Sequence, residues 1–221
     1  MKARFTVDEI ACAALHIVDT AGPAALSMRA LATALGTGPM TMYNYVADKE
    51  ALEELVVAAV VSGIGVPESA GDWRADVHAI ATAMWRGIRT HPAAVPLVLT
   101  RRMTSATGFA IADALVGALV SAELSDRDRL SAFHAVLGLV TGAAQAELAG
   151  PLMRGAADAA GVAARIGAVA GSEHPHIAAL SEVAVATSVE DDFDGGLRML
   201  IDGIAARAHR TVSRARATPP G

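Results

Sequence analysis

The sequence predicts an all-α protein: an N-terminal three-helix unit built around a helix-turn-helix, joined by a long fourth helix to a helical C-terminal domain. Three observations lead to this class. Apolar residues recur at three- and four-residue spacing along most of the chain. No segment alternates apolar and polar residues as a half-buried strand does. Side chains that cap helices, Thr6, Ser27 and Asp48, stand directly ahead of the early apolar runs.

The elements follow in order. Thr6-Val7-Asp8-Glu9 reads as a capping box, and Ile10, Ala14, Ile17, Val18 and Ala21 form the apolar stripe of a first helix that stops at Gly22-Pro23. Ser27 caps a second helix with Met28, Leu31, Ala32 and Leu35 inward, and Gly36 ends it. Pro39 opens a third, short helix at a position where a missing amide costs little. Asp48 caps a fourth, with Leu52, Leu55, Val56, Ala59 and Val60 on one side. The Gly/Pro/Ser-rich run "SGIGVPESAGD" marks a boundary, giving domains at 1–62 and 72–212. Beyond it, Trp73, Val77, Ile80, Ala81, Met84 and Ile88 form the next stripe, closed by His91-Pro92. "PAAVPLVLTRRM" reads as a short, proline-interrupted helix. Two long helices follow, Phe109 to Glu123 and Ser125 to Ala149, the second with Leu130, Phe133, Leu137, Val140, Ala144 and Leu148 on one face. Residues 150–172 read as a loose Ala/Gly-rich segment, and "HPH" at 174–176 as a loop. A last helix from about Glu190 carries Phe193, Leu197, Leu200, Ile201, Ile204 and Ala208, and "RARATPPG" reads as a disordered tail.

Composition narrows the function classes. Apolar residues make up 53% of the 221, enough for a large core and against wholesale disorder. The longest weakly polar runs, "LVVAAVVSGIGV" and "AVLGLVTGAAQA", fall short of the ~20 residues a membrane span needs. Asp8 and Glu9 follow the basic tip, unlike a secretory leader, and the single Cys12 excludes an intrachain disulfide. These features point to a soluble, cytoplasmic protein. The net charge of −5 and the slight acidic excess of the first fifty residues count against a broad basic patch, so a DNA contact must rest on a few placed groups.

Those groups gather in "LGTGPMTMYNYVADKE". Helix, glycine turn and short helix is the helix-turn-helix layout, whose second helix enters the major groove. Met42 and Val46 lie four apart and anchor that helix inward; Pro39, Met40, Thr41, Asn44 and Tyr45 fall on its other sides. Met40, Thr41 and Asn44 suit base edges, by apolar contact to a thymine methyl and amide hydrogen bonding to adenine. Tyr43, Tyr45, Lys49 and the Ser27 hydroxyl suit phosphates.

The stretch "LSMRALATALGTGPMTMYNYVADKEALEEL", within Thr6 to about Val60, resembles the TetR family of transcriptional repressors. Arg29, Leu31, Ala32, Leu35, Gly36, Tyr43, Tyr45, Val46, Lys49 and Leu52 match its pattern without gaps; Thr37 and Met42 replace a usual valine and leucine. The resemblance and the periodicity together give the DNA-facing set as Ser27, Arg29, Thr37, Pro39, Met40, Thr41, Tyr43, Asn44, Tyr45 and Lys49. More faintly, "HP", the helix from Ser125 and "DDFDGGLRMLIDGIAARA" look like the C-terminal ligand-binding and dimerisation domain of the tetracycline-repressor subgroup. That resemblance implies a homodimer, a small-molecule inducer bound in the C-terminal core, and release of palindromic operator DNA. It places a four-helix interface on the Ser125 and Glu190 helices, where Gly138, Gly142, Gly203 and Ala205 permit close approach.

Gly65 and Ile80 stand where the subgroup holds tetracycline with a histidine and an asparagine, so the expected ligand is largely apolar. Met84, Trp85, Phe109, Phe133 and Leu137 would line its pocket, with Arg101, Arg102 and His134 as polar handles. No catalytic constellation, phosphate loop or metal-ligand spacing stands out, and neither cofactor nor metal is expected. One rival reading fits the same residues: a helical small-molecule-binding protein whose helix-turn-helix no longer binds DNA. The retained Arg29, Tyr43 and Lys49 count against it.

Overall fold

The computed structural model describes residues 4–100, 106–149, 159–171 and 173–217. Among these the regular structure is helical, in the order α1 (Val7–Ala21), α2 (Met28–Ala34), α3 (Pro39–Met42), α4 (Lys49–Ser62), α5 (Trp73–Arg89), α6 (Val95–Thr100), α7 (Ala106–Val120), α8 (Asp126–Ala149), α9 (Ala159–Ala170), α10 (Pro175–Ala186) and α11 (Val189–Ala217).

The first three helices and α4 share one core. The Thr6 capping box is formed, with the Thr6 hydroxyl accepting from Glu9 N–H and the Glu9 carboxylate from Thr6 N–H. It starts α1, whose Ile10, Ala14 and Val18 are fully buried. α1 packs along α4, through Leu52, Val56 and Val60 of the latter, none more than 1% exposed. The far half of α4 also meets α5, α6 and α7, so this helix belongs to both halves of the chain.

In the C-terminal half, α5 lies against α7, α8 and α11, and buries Val77, Ile80, Ala81, Met84, Trp85 and Ile88. Helix α8 buries Ala132, Val136, Val140 and Ala144, a strict four-residue line. This line is rotated from the sequence-predicted face: Leu130 is exposed, while Phe133 and Leu137 are half-buried. In a helix as rich in alanine and glycine as this one, small residues share the apolar face and blur its centre.

Three expectations are corrected. The segment taken as loose contains α9, because alanine is the best helix former and outweighs the glycines at 161 and 167. "HPH" does not form a loop: His174 is the cap residue and Pro175 the first position of α10, where proline is well placed. Helix α11 runs on through Ala217, four residues into the stretch read as a disordered tail, and Arg207 pairs with Asp128 of α8 at 2.7 Å. Leu148, the tail end of the predicted α8 stripe, has a side chain outside those described. No helix among the described residues is long and apolar enough to cross a membrane.

Candidate nucleic-acid interface

The segment from Ser27 to Val46 is built by two turns with unlike requirements. Ser27 caps α2, its hydroxyl accepting from Ala30 N–H at 3.1 Å. Seven residues later the helix closes with Thr37 N–H on Ala32 C=O and Gly36 N–H on Thr33 C=O, the paired bonds of a Schellman motif. Gly36 occupies the left-handed region at φ +63°, which accounts for glycine there. Gly38 then precedes Pro39, and α3 begins. Tyr45 N–H and Val46 N–H both reach back to Met42 C=O, extending the coil past its formal end.

Met42 and Val46 are 0% and 2% exposed and dock the segment on the core, as their spacing predicts. That fixes what faces outward: Pro39, Met40, Tyr43 and Asn44 are exposed, Met40 at 78%, while Thr37 and Thr41 are half-buried. Arg29 is exposed on α2, and Lys49 is exposed in the first turn of α4, 3.7 Å from Glu53. Asp48 caps α4 by accepting from Ala51 N–H at 2.8 Å.

Tyr45 is engaged within the chain. It is half-buried, and its hydroxyl accepts from the backbone N–H groups of Arg4 at 3.0 Å and Phe5 at 3.3 Å. Its ring meets Phe5 edge-on at 6.0 Å. The Arg4 guanidinium donates to Gly36 C=O at 3.2 Å. Neither Arg4 nor Phe5 carries a periodicity or motif signal, and sequence reasoning missed both.

The expected ligand residues fare unevenly. Met84 and Trp85 are buried on α5, Phe133 and Leu137 are half-buried against the core, and Phe109 and His134 are exposed. Arg101 and Arg102 lie outside the described residues. Trp85 is engaged within the protein: it stacks on Phe193 of α11 at 4.2 Å and 7°, and its indole N–H donates to Glu147 of α8 at 3.1 Å. Arg89 lies over the Trp85 ring at 4.3 Å and bridges Glu147 at 2.8 Å and Glu190 at 2.7 Å. One aromatic and one guanidinium thus tie α5, α8 and α11 together. A groove of about 520 Å³ opens beside them, with Gly138, Gly142, Ala146, Leu180 and Val183 among its walls. A second groove, about 330 Å³, follows between α8 and α11 past Ala135, Met199 and Gly203.

A polar contact also joins the two halves. His91, between α5 and α6, lies with Nδ1 2.8 Å from an Asp19 carboxylate oxygen of α1.

Comparisons with known proteins bear on the family and the fold. A family model described as "Tetracyclin repressor-like, C-terminal domain" matches residues 66–208. The HTH-type transcriptional repressor DrrR1 of Streptomyces coeruleorubidus is 30% identical over 212 residues, covering 92% of this chain and 78% of that protein. Apo ActR from Streptomyces coelicolor superimposes with a TM-score of 0.82 at 25% identity, covering 96% of this chain and all of that one. ActR bound to actinorhodin gives 0.80 at the same identity, covering 93% of this chain and 99% of that one. With a helix-turn-helix ahead of a matched C-terminal domain, the chain belongs to the TetR family of transcriptional regulators.

Proposed function

We propose that this protein is a homodimeric, ligand-responsive repressor that binds a palindromic operator and is released by a small-molecule inducer. The observation that carries the reading is the outward face of the α3 segment. Burial of Met42 and Val46 turns Met40, Tyr43 and Asn44 toward solvent together, with Met40 78% and Tyr43 53% exposed. Asn44 and Thr41 supply groups for base edges; Met40 suits a thymine methyl. Tyr43 and Lys49, with Ser27, Arg29, Thr37 and Pro39 around them, suit the sugar–phosphate walls. Such a protein works beside the chromosome, in the cytoplasm, as a domain pair at 1–62 and 72–212.

The dimer reading rests on the outer side of α8 and α11. A Cβ built at Gly138, Gly142 or Gly203 meets nothing within 4 Å, and Leu130 and Met199 are 57% and 77% exposed. The two grooves run along that same pair of helices. Leu197 and Ile201, in contrast, are at most 5% exposed and belong to the protomer's own core. A two-fold dimer would present its α3 segments to half-sites roughly 34–36 Å apart or a multiple. The inducer reading draws on ActR, solved with actinorhodin bound, and on the apolar core around Met84, Phe133 and Leu137.

Selection of bound duplexes from random DNA tests the proposal. The wild type should enrich a palindrome. Asn44→Ala should enrich a different or relaxed sequence, with a good base contact worth ~1–3 kcal/mol. Enrichment of an unchanged sequence by Asn44→Ala would remove that residue from base reading. No enrichment by the wild type would favour a ligand-binding protein with a retired helix-turn-helix.

A further inference from the structure

The segment ahead of α1 is fastened to both flanks of the reading helix. Its main chain is held on the C-terminal side, where the Arg4 and Phe5 N–H groups share the hydroxyl of Tyr45, the residue next to Asn44. Its side chain is held on the N-terminal side, where the Arg4 guanidinium donates to Gly36, the turn glycine three residues before Pro39. Phe5 secures the arrangement by packing half-buried against the core and edge-on to Tyr45. A phenylalanine at position 45 would serve the ring contact alone; the hydroxyl adds an acceptor for two amides that precede the helix and have no helical partner.

Resting on the DNA-binding reading above, the geometry assigns Arg4 as a further contact to the DNA sugar–phosphate backbone, with Tyr45 as its positioning residue. Arg4 is exposed; among the described residues one of its five N–H donors goes to Gly36, and the guanidinium lies 5.2 Å over the Phe5 ring, an arrangement that holds it in place and leaves its outer N–H groups to a phosphate. Its place bracketing α3, and not on the outward face of that helix, puts it beside the phosphate walls of a major groove that α3 occupies. Charge makes the contact consequential. The first fifty residues hold Lys2, Arg4, Arg29 and Lys49 against Asp8, Glu9, Asp19, Asp48 and Glu50, and Lys49 already faces Glu53. With so few cations, each one aimed at the backbone counts. Phosphate contacts act through counterion release, so Arg4 should govern the salt dependence of binding and leave sequence preference alone.

The test is the slope of log K against log salt, from fluorescence anisotropy of a labelled random-sequence duplex and of a duplex selected by the wild type. Across roughly 50 to 200 mM salt, Arg4→Ala should flatten the slope by ~0.9 per protomer on both duplexes. Arg4→Lys should keep the slope, since either cation neutralises a phosphate. Tyr45→Phe should flatten it as Arg4→Ala does, with the selected sequence unchanged and the cooperative melt retained. A wild-type slope in Arg4→Ala would overturn the assignment while leaving the DNA-binding reading intact. A flattened Arg4→Ala beside an unaltered Tyr45→Phe would overturn the positioning role. A wild type that binds neither duplex would sink the underlying reading, and this assignment with it.

Discussion

Gly87→Ala should destabilise the protein even though it places a better helix former in α5. Gly87 lies on α5 beneath Ile64, the buried residue that follows α4. A Cβ built there falls well inside contact distance of Ile64 Cγ1, and lies 3.1 Å from Cδ1 and 3.5 Å from Cβ. The crowded atom is bonded directly to a branched Cβ, so swinging the far end of the side chain gives no relief. Either Ile64 leaves its rotamer or α4 and α5 separate. Overpacking of this kind costs ~1–3 kcal/mol. Replacing glycine by alanine in a helix returns ~1 kcal/mol, so the net change is ~0–2 kcal/mol destabilising. The double mutant isolates the clash. In an Ile64→Ala background, itself ~2–5 kcal/mol less stable from lost burial, Gly87→Ala should become stabilising by ~1 kcal/mol. Urea unfolding followed by circular dichroism, at one protein concentration for all four variants, measures both effects. If Gly87→Ala stabilises the wild-type background as well, the packing of Ile64 on α5 described above is wrong.

Three further outcomes are expected. Met199→Asp should give monomers in sedimentation at micromolar concentration, an unpaired interface charge costing ~2–5 kcal/mol; Leu197→Asp should instead abolish the cooperative melt. Stability should fall as pH drops through and below the ordinary carboxylate range, ~4. Hydrogen bonds from Ser125 and Arg207 lower the Asp128 pKa, one from Arg89 lowers that of Glu190, and one from His78, with Arg198, lowers that of Asp194. With folded values below unfolded ones, the unfolded chain binds more protons in that window, so stability is full above it and lost toward the folded values. Melts of Asp194→Asn should show a shallower acid slope than wild type. Finally, His91→Ala removes the polar contact between α1 and the turn ahead of α6. It should shrink the ratio of operator affinities without and with a bound inducer, a coupling typically worth ~1–3 kcal/mol. An unchanged ratio would show that this contact takes no part in the coupling.

The sequence by itself determined what depends on neighbours a few positions away. The caps at Thr6, Ser27 and Asp48, the glycine turn at Gly36 and the inward pair Met42 and Val46 are all set within one or two helical turns, and each stands in the structure as its spacing predicts. The outward face of α3 followed from those anchors, since a helix with one side fixed has the other side fixed too. Only the tertiary structure decided which way the alanine- and glycine-rich helices turn. On α8 small residues line more than one side, so the stripe did not reveal that Leu130 points out and Ala132 in, and packing against α5, α6, α7 and α11 chose. The same holds for contacts between residues remote in the chain. Arg4 meets Gly36, Tyr45 meets Arg4 and Phe5, His91 meets Asp19, and Arg89 joins Glu147 to Glu190 because helices cross there. A polar side chain on one helix carries no local mark of its partner on another, and that pairing exists only once the core has set the distance between them.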